Sequence, residues 1–533
     1  MNAGTVETAE RHRVAANLEE FINRNPATGE EIGRHPVLMA GEVEALLERA
    51  EKASVSWGAL PAKERAKYLR RFRKQIVRDM DEIVDTICAE TGKTKMDGVF
   101  EIFTVAEHVK YMEKYGAAYL KDEPRSTGLY KNKKAWVTFQ PKGVIGIISP
   151  WNYPFILTAG PIAQALMAGN TVVVKPSEVT PATTLKMREI ADRAGLPADV
   201  FLVATGDGRT GQAIVESPRT KMICFTGSTA TGRKIAEICG RMLKPVLLEL
   251  GGKDPMIVLD DAPLERATHA ALWGGMSNSG QTCISVERVL VHEKVKDRFI
   301  ELLQKNIVNL KQGVQSEHPS VGSMAFDKQL GIVLDHIDEA KSKGARIVAG
   351  GNRNERYPRG LFIEPTIVVV NDSSLKVWKD ETFGPVIALR TFSTDAEAID
   401  MANDSVYGLN GSVWSKNKGR ARKIARQIRS GCLCINDVMA NYILSDLPFG
   451  GQKESGMGRV YGREGLRAFT DLQSVMEDRF TMTRELWWFP TARRSRICFA
   501  RRPVCFSVNG PVYRLFAVLR AGVRIEAPVA CRR

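Results

Sequence analysis

The spacing of apolar residues changes character along this chain of 533 residues. From Ala40 to about Leu120 apolar residues return every three or four positions. Val43, Leu46, Leu47 and Ala50 form one such set, and Leu69, Phe72, Ile76, Met80 and Ile83 another. Charged residues fill the opposite face, which predicts amphipathic helices. Residues 1–40 read as an irregular lead-in, with a turn at Asn25-Pro26-Ala27-Thr28-Gly29 and a short strand-like run at Glu31–Arg34. Lys133–Gln140 alternates and predicts a strand.

From Gly143 the pattern becomes short apolar runs separated by helical stretches. Strands are predicted at Gly143–Ser149, Thr171–Lys175, Val200–Val203, Met222–Phe225 and Val246–Glu249. Helices are predicted between them at Pro154–Ala168, Pro181–Ala194, Arg209–Val215 and Thr231–Cys239. Continuously apolar strands alternating with helices define βαβ units, and so a parallel sheet covered on both faces. Ligands bind beyond the carboxyl ends of such strands. After Gly251-Gly252 a second domain of the same class is expected. Its helices are Leu264–Met276, Lys294–Asn309 and Phe326–Ser342, and its strands include Arg346–Ala349, Thr366–Val370 and Val386–Phe392. The fold class is therefore α/β. No fixed-period repeat or low-complexity linker interrupts it.

Length and composition refine this picture only slightly. A chain of 533 residues exceeds one hydrophobic core, and 44% hydrophobic content is that of a globular protein. No apolar run approaches the ~18 residues of a membrane-spanning helix. Met1–Phe21 has no signal-type hydrophobic stretch. A cytoplasmic protein is expected, with its nine cysteines as thiols. They form no CxxC pair. Cys432-x-Cys434 is expected to point both sulfurs to one face of a strand, in a structural role. The seven histidines lack metal-ligand spacing, so no metal is expected. The net charge of +15 is concentrated at one end. Residues 484–533 hold 11 Arg, no Lys and two acids, a net of +9, which leaves +6 for the rest. This distribution argues against a nucleic-acid surface on the body of the protein. It sets apart a basic, aromatic tail.

Candidate chemistry lies at the strand ends and at one cysteine. Cys283 sits in Gly280-Gln281-Thr282-Cys283, between small polar residues and the mainly apolar run Val286–Val291. A sulfur at such a junction can face a cleft, and its thiolate would be a nucleophile. A lone cysteine is equally a packing residue. Asn152, in Pro150-Trp151-Asn152-Tyr153-Pro154, could cap the next helix or donate to an oxyanion. Lys175 and Glu178 could together hold vicinal ribose hydroxyls, or cap a helix. The turn Thr226-Gly227-Ser228-Thr229-Ala230-Thr231-Gly232 opens a helix and offers backbone N–H groups to a phosphate. Glu249, followed by Leu250-Gly251-Gly252-Lys253, is a candidate general base or a solvated carboxylate.

Taken together, the segments PWNYPF, VVVKPSE, FTGSTATG, LELGGKDP, GQTCISVER, ETFGPV and LPFGG…SGMGR, in that order, resemble the aldehyde dehydrogenase superfamily over about residues 25–475. The wording is also similar to bacterial members assigned to succinate semialdehyde and to fatty aldehydes. The resemblance implies a Rossmann-like cofactor domain (1–118 and 141–251) and an α/β catalytic domain (252–450). It further implies a small β oligomerisation element (119–140 and 451–478), followed by the tail (479–533). It implies Cys283 as nucleophile, Glu249 as the base that activates water, and Asn152 with the Cys283 backbone N–H as the oxyanion hole. Lys175 and Glu178 would hold the adenine ribose, and Gly227 and Ser228 the phosphates. Gly232 would allow close helix packing, and Glu381, beside Phe383, would hold the nicotinamide ribose. Trp151 and Leu250 would line the cofactor channel. NAD is the expected cofactor because the Glu178 carboxylate repels a 2′-phosphate, with NADP as the alternative. The expected assembly is a homodimer or homotetramer.

In the semialdehyde-oxidising branch an Arg stands eight residues after the oxyanion Asn. Here that residue is Gly160, on an apolar helix face. An apolar aliphatic aldehyde is the expected substrate, with succinate semialdehyde as the alternative. Further readings are a CoA-acylating enzyme, against which Glu249 speaks, and a non-catalytic protein of the same fold. In the tail, Val512, Leu515, Phe516 and Leu519 share one helical face near Arg514 and Arg520, which suits peripheral contact with an anionic membrane.

Overall fold

The computed structural model describes residues 19–480, together with Glu485, Trp488, Phe489 and the backbone of two short strands at Arg496–Ile497 and Phe506–Ser507. The expected amphipathic segment in the tail, and the start of the lead-in, lie outside the described residues.

Contacts divide the chain into two compact units, 1–123 with 137–474, and 124–136 with 475–533. In the first, a six-stranded sheet runs in the order Gly456–Met457, Val246–Glu249, Thr220–Thr226, Val144–Ile148, Thr171–Lys175 and Phe201–Val203. All neighbours are parallel except the first pair. Val144–Ile148 lies at the centre, and the chain winds outward from it in both directions. That point of reversal opens a crevice beyond the carboxyl ends of the strands. Helices Ile156–Ala168, Pro181–Arg193, Gly208–Glu216 and Thr229–Arg241 follow successive strands. The predicted strands and helices of this region are all present, with ends unchanged or moved by one or two residues.

A second sheet of seven strands has the order Arg346–Ala349, Thr366–Val369, Val386–Phe392, Val286–His292, Asp254–Val258, Ser412–Trp414 and Cys434–Ile435. Only its first pair is antiparallel. Asp254–Val258 is fully buried and sits beside the strand that follows Cys283. It is not among the strands expected from sequence.

Two expectations are corrected. Within the described part of the lead-in, residues 20–36 are not irregular, because Glu20–Arg24 pairs antiparallel with Glu31–Pro36 across the Asn25–Gly29 turn. Cys432 lies outside the short strand Cys434–Ile435, so the two sulfurs do not share a strand face. The helical segment 40–119 divides into Ala40–Ala59, Ala62–Arg78, Met80–Thr91 and Lys95–Tyr119. A three-stranded sheet orders Thr470–Asp478, Lys133–Pro141 and Glu123–Arg125. Within the second unit Lys133 pairs with Glu485 and, at 2.9 Å, with Asp478, and Arg496–Ile497 pairs with Phe506–Ser507.

Candidate active site

Glu249 ends its strand at the carboxyl edge of the first sheet, and the chain then crosses directly to the second sheet at Asp254. The crossing is tight. A Cβ added to Gly252 would come within 2.3 Å of the Cys283 carbonyl oxygen, so only glycine lets these two backbones meet. This contact brings Glu249 and Cys283 to one cavity, lined also by Leu157, Pro161, Leu250, Phe449, Tyr442 and Tyr461.

Glu249 is buried, and neither carboxylate oxygen has a hydrogen-bond partner. Burial pushes its carboxyl well above the usual range, with Arg459 opposing weakly. The alternative of a solvated carboxylate is therefore wrong. Cys283 keeps part of its surface accessible. Its thiol is raised well above its ordinary value, by burial first and then by the negative fields of Asp254, Glu381 and Glu249, while the Ile284 N–H acts in the opposite sense. Burial thus favours the protonated form of each group.

Asn152 is buried and does not cap the helix that follows it. Its side-chain amide donates to the Gln281 carbonyl at 3.0 Å, two residues before Cys283. Its own carbonyl accepts from the Asn278 amide at 2.8 Å and the Lys93 ammonium at 2.7 Å. The loop with Cys283 is held in turn by Asn278 and Ser279, both in the left-handed region with φ of 52° and 56°. Helix Ile156–Ala168 is instead met by Glu101, which accepts from the Phe155 and Ile156 N–H groups at 3.0 Å each.

The remaining candidates gather around the crevice of the first sheet. Buried Lys175 donates to the Gly206 carbonyl at 2.7 Å and pairs with exposed Glu178 at 3.6 Å. Ser228 caps helix Thr229–Arg241 by accepting from the Thr231 N–H. A Cβ on Gly227 would strike the Phe225 ring at 2.5 Å, and one on Gly232 would strike Leu250 at 2.5 Å. The turn is thus bare backbone at a helix start, which suits the phosphates of a dinucleotide. Glu381 accepts from the Gly252 N–H at 2.9 Å, and burial lifts its carboxyl to about 8. Trp151 packs edge-on against Phe383 at 5.3 Å between ring centres. The residues present therefore fit a nicotinamide dinucleotide.

Several site residues were not singled out from sequence. Lys253 and Glu287 form a fully buried ion pair. Glu287 also accepts from the Thr382 and Phe383 N–H groups at 2.8 and 2.9 Å, which fixes the turn beside Glu381. Phe449 and Val460 exchange backbone hydrogen bonds at 2.8 Å and carry the aromatic wall into the cavity. The Tyr442 and Tyr461 hydroxyls lie 2.7 Å apart, and His108 stacks on Tyr461 at 3.8 Å. Lys93 and Glu101 complete the set. The bonds of Lys93, Glu101 and Glu287 to the site span more than 50 residues of sequence, so no local spacing exposes them.

Residues 13–475 match the model of the aldehyde dehydrogenase family. The chain is 37% identical over 469 residues to a 4,4′-diapolycopene aldehyde oxidase of Methylomonas, covering 87% of each chain. It is 40% identical over 457 residues to a putative NADP(+) succinate-semialdehyde dehydrogenase of Mycolicibacterium smegmatis, covering 85% of this chain and 87% of the relative. The crystal structure of a Mycobacterium tuberculosis aldehyde dehydrogenase complexed with NAD+ superposes with a TM-score of 0.84 at 35% identity, over 88% of this chain and 96% of that one. The chain belongs to the aldehyde dehydrogenase family. It is an NAD(P)-dependent oxidoreductase acting on an aldehyde.

Proposed function

We propose that Cys283, Glu249 and Asn152 carry the oxidation of an apolar aldehyde to its carboxylic acid. The observation that supports this most is the shared cavity, in which an unpartnered carboxylate and a thiol stand among apolar and aromatic walls. The Cys283 sulfur, as thiolate, bonds to the aldehyde carbon, and the carbonyl oxygen becomes an oxyanion held by the Asn152 amide and the Cys283 backbone N–H. A bound NAD(P)+ would supply the hydride acceptor, and loss of hydride from that carbon would leave Cys283 holding a thioester. Glu249 then takes a proton from water as the water oxygen attacks the thioester. The carboxylic acid leaves and the thiolate returns.

Lys175 and Glu178 would hold the adenine ribose, and Gly227 and Ser228 the phosphates. Glu381 would hold the second ribose, with Trp151, Leu250 and Phe383 around it and Gly232 giving the helix its close approach. The Glu178 carboxylate favours NAD over NADP by charge.

The substrate reading rests on Gly160 and its surroundings. Leu157, Pro161, Phe449, Val460 and the two tyrosines line the cavity, and no cation is among them. The semialdehyde of a dicarboxylic acid would find no cationic partner for its carboxylate there. One of the relatives is named for a diapolycopene aldehyde rather than for a semialdehyde, in keeping with this. Steady-state rates with purified protein, hexanal and decanal against succinate semialdehyde, test it. A higher kcat/KM for succinate semialdehyde would overturn the apolar assignment. Free acid formed without CoA would separate this enzyme from an acylating one.

The division into cofactor, catalytic and oligomerisation parts, a cytoplasmic location and a homodimer or homotetramer belong to the same reading. No helix among the described residues is long and apolar enough to cross a membrane. Peripheral contact through residues 484–533 is tested by liposome co-sedimentation of the full chain against one ending near Phe480.

A further inference from the structure

The Lys93–Glu101 pair is buried beyond any need of a surface ion pair. Both side chains are 0% exposed, and they meet at 2.6 Å. Removing two charges from water is costly, and only good geometry and further hydrogen bonds offset that cost. Here the remaining bonds are directed at one short segment. Lys93 donates to the Asn152 carbonyl at 2.7 Å and stands 4.2 Å from the centre of the Tyr153 ring. The second Glu101 oxygen receives the Phe155 and Ile156 N–H groups. One buried pair therefore holds the backbone on both sides of Tyr153-Pro154.

We propose that Lys93 and Glu101 are positioning residues for Asn152, fixing its backbone so that its amide faces the Cys283 loop. Asn152 has a single peptide carbonyl, and two donors from different elements hold it, Lys93 from one side and Asn278 from the other. With the carbonyl pinned, the side chain reaches Gln281 in one orientation. One amide hydrogen is spent on that bond, and the other is left for the oxyanion. Loss of Lys93 frees the peptide to rotate, and a shift of about 1 Å in a donor is enough to cost roughly 10²-fold in rate.

This inference rests on the role assigned to Asn152 above, so its test measures both. The readout is the pre-steady-state burst of NADH, which reports hydride transfer, with the best aldehyde of the substrate panel and saturating NAD+. Asn152→Ala is expected to slow the burst about 10²-fold to 10³-fold. Lys93→Met is expected to slow it at least about tenfold in the wild-type background and by less than about twofold in the Asn152→Ala background. NAD+ affinity, measured by fluorescence titration, stays within about twofold in each case. Lys93→Arg, which keeps a donor, restores part of the loss. If Lys93→Met alone does not fold because Glu101 is stranded, the charge-free pair Lys93→Met with Glu101→Gln takes its place. An unchanged burst in Lys93→Met, or an equal loss with and without Asn152, would overturn the positioning role while leaving the catalytic reading intact. An unchanged burst in Asn152→Ala would end both.

Discussion

The Tyr461 hydroxyl occupies the space that a side chain at position 160 would need: a Cβ built on Gly160 comes within 2.5 Å of it. The missing cation noted from sequence is thus explained by an aromatic ring from a distant segment. Gly160→Ala is expected to destabilise the protein by about 1–3 kcal/mol, the range of overpacked cores. Tyr461→Phe in the same chain should recover part of this, since it removes the closest atom. Thermal melts of the two single variants and the double variant check it. A Gly160→Ala melt equal to wild type would mean that the ring yields freely.

Glu249→Gln should separate the two halves of the reaction. The amide cannot accept the proton of the attacking water, so the thioester persists. One NADH per active site forms and steady turnover falls by about 10²-fold or more. In the wild type, deacylation rises with pH through the elevated carboxyl pKa of Glu249, because only the ionised form is a base. That rising limb disappears in Glu249→Gln. Stopped-flow NADH formation across pH measures both effects.

Cys283→Ala should abolish aldehyde oxidation while leaving the dinucleotide affinity unchanged. Wild-type turnover in this variant would sink the assignment of the nucleophile.

Glu178 is about half exposed and pairs with Lys175. Glu178→Gln removes a negative charge beside the site that would receive a 2′-phosphate. The ratio of kcat/KM for NADP to that for NAD is expected to rise about tenfold, an interaction of about 1–2 kcal/mol in a partly screened setting. An unchanged ratio would show that the carboxylate does not face the adenine ribose.

His108 lies buried between Tyr442 and Tyr461, and burial holds its imidazole down at about 3. An unfolded histidine binds its proton near pH 6.5. Between these values the unfolded chain holds the extra proton, so stability falls as the pH drops below 6.5. At pH 5 the cost is about 2 kcal/mol for this one group. His108→Phe should flatten the fall in Tm between pH 7 and 5 relative to wild type.

Most of the fold was legible because its signals are local. The βαβ region spells out each strand as a short apolar run, and the glycine turn at 227 announces a helix start. What escaped depends on partners far apart in sequence. Asn152 could be read as a cap because the residue that meets that helix, Glu101, lies on another helix. Glu287 sat inside a quoted motif without a role, since its partners at 382 and 383 are reached only by folding. Asp254–Val258 was not among the expected strands: it opens on Asp and Pro, residue types depleted in strands, and only its parallel neighbours on both sides define it.

The contact of Gly252 with the Cys283 carbonyl has a practical reach for redesign. Substrate range can be altered at Leu157, Phe449 or Tyr461, which border the cavity through side chains. The seam between the two sheets admits no such freedom, because a single methyl there would push the sulfur off its mark. Libraries aimed at new aldehydes should therefore leave residue 252 untouched and spend their diversity on the rim.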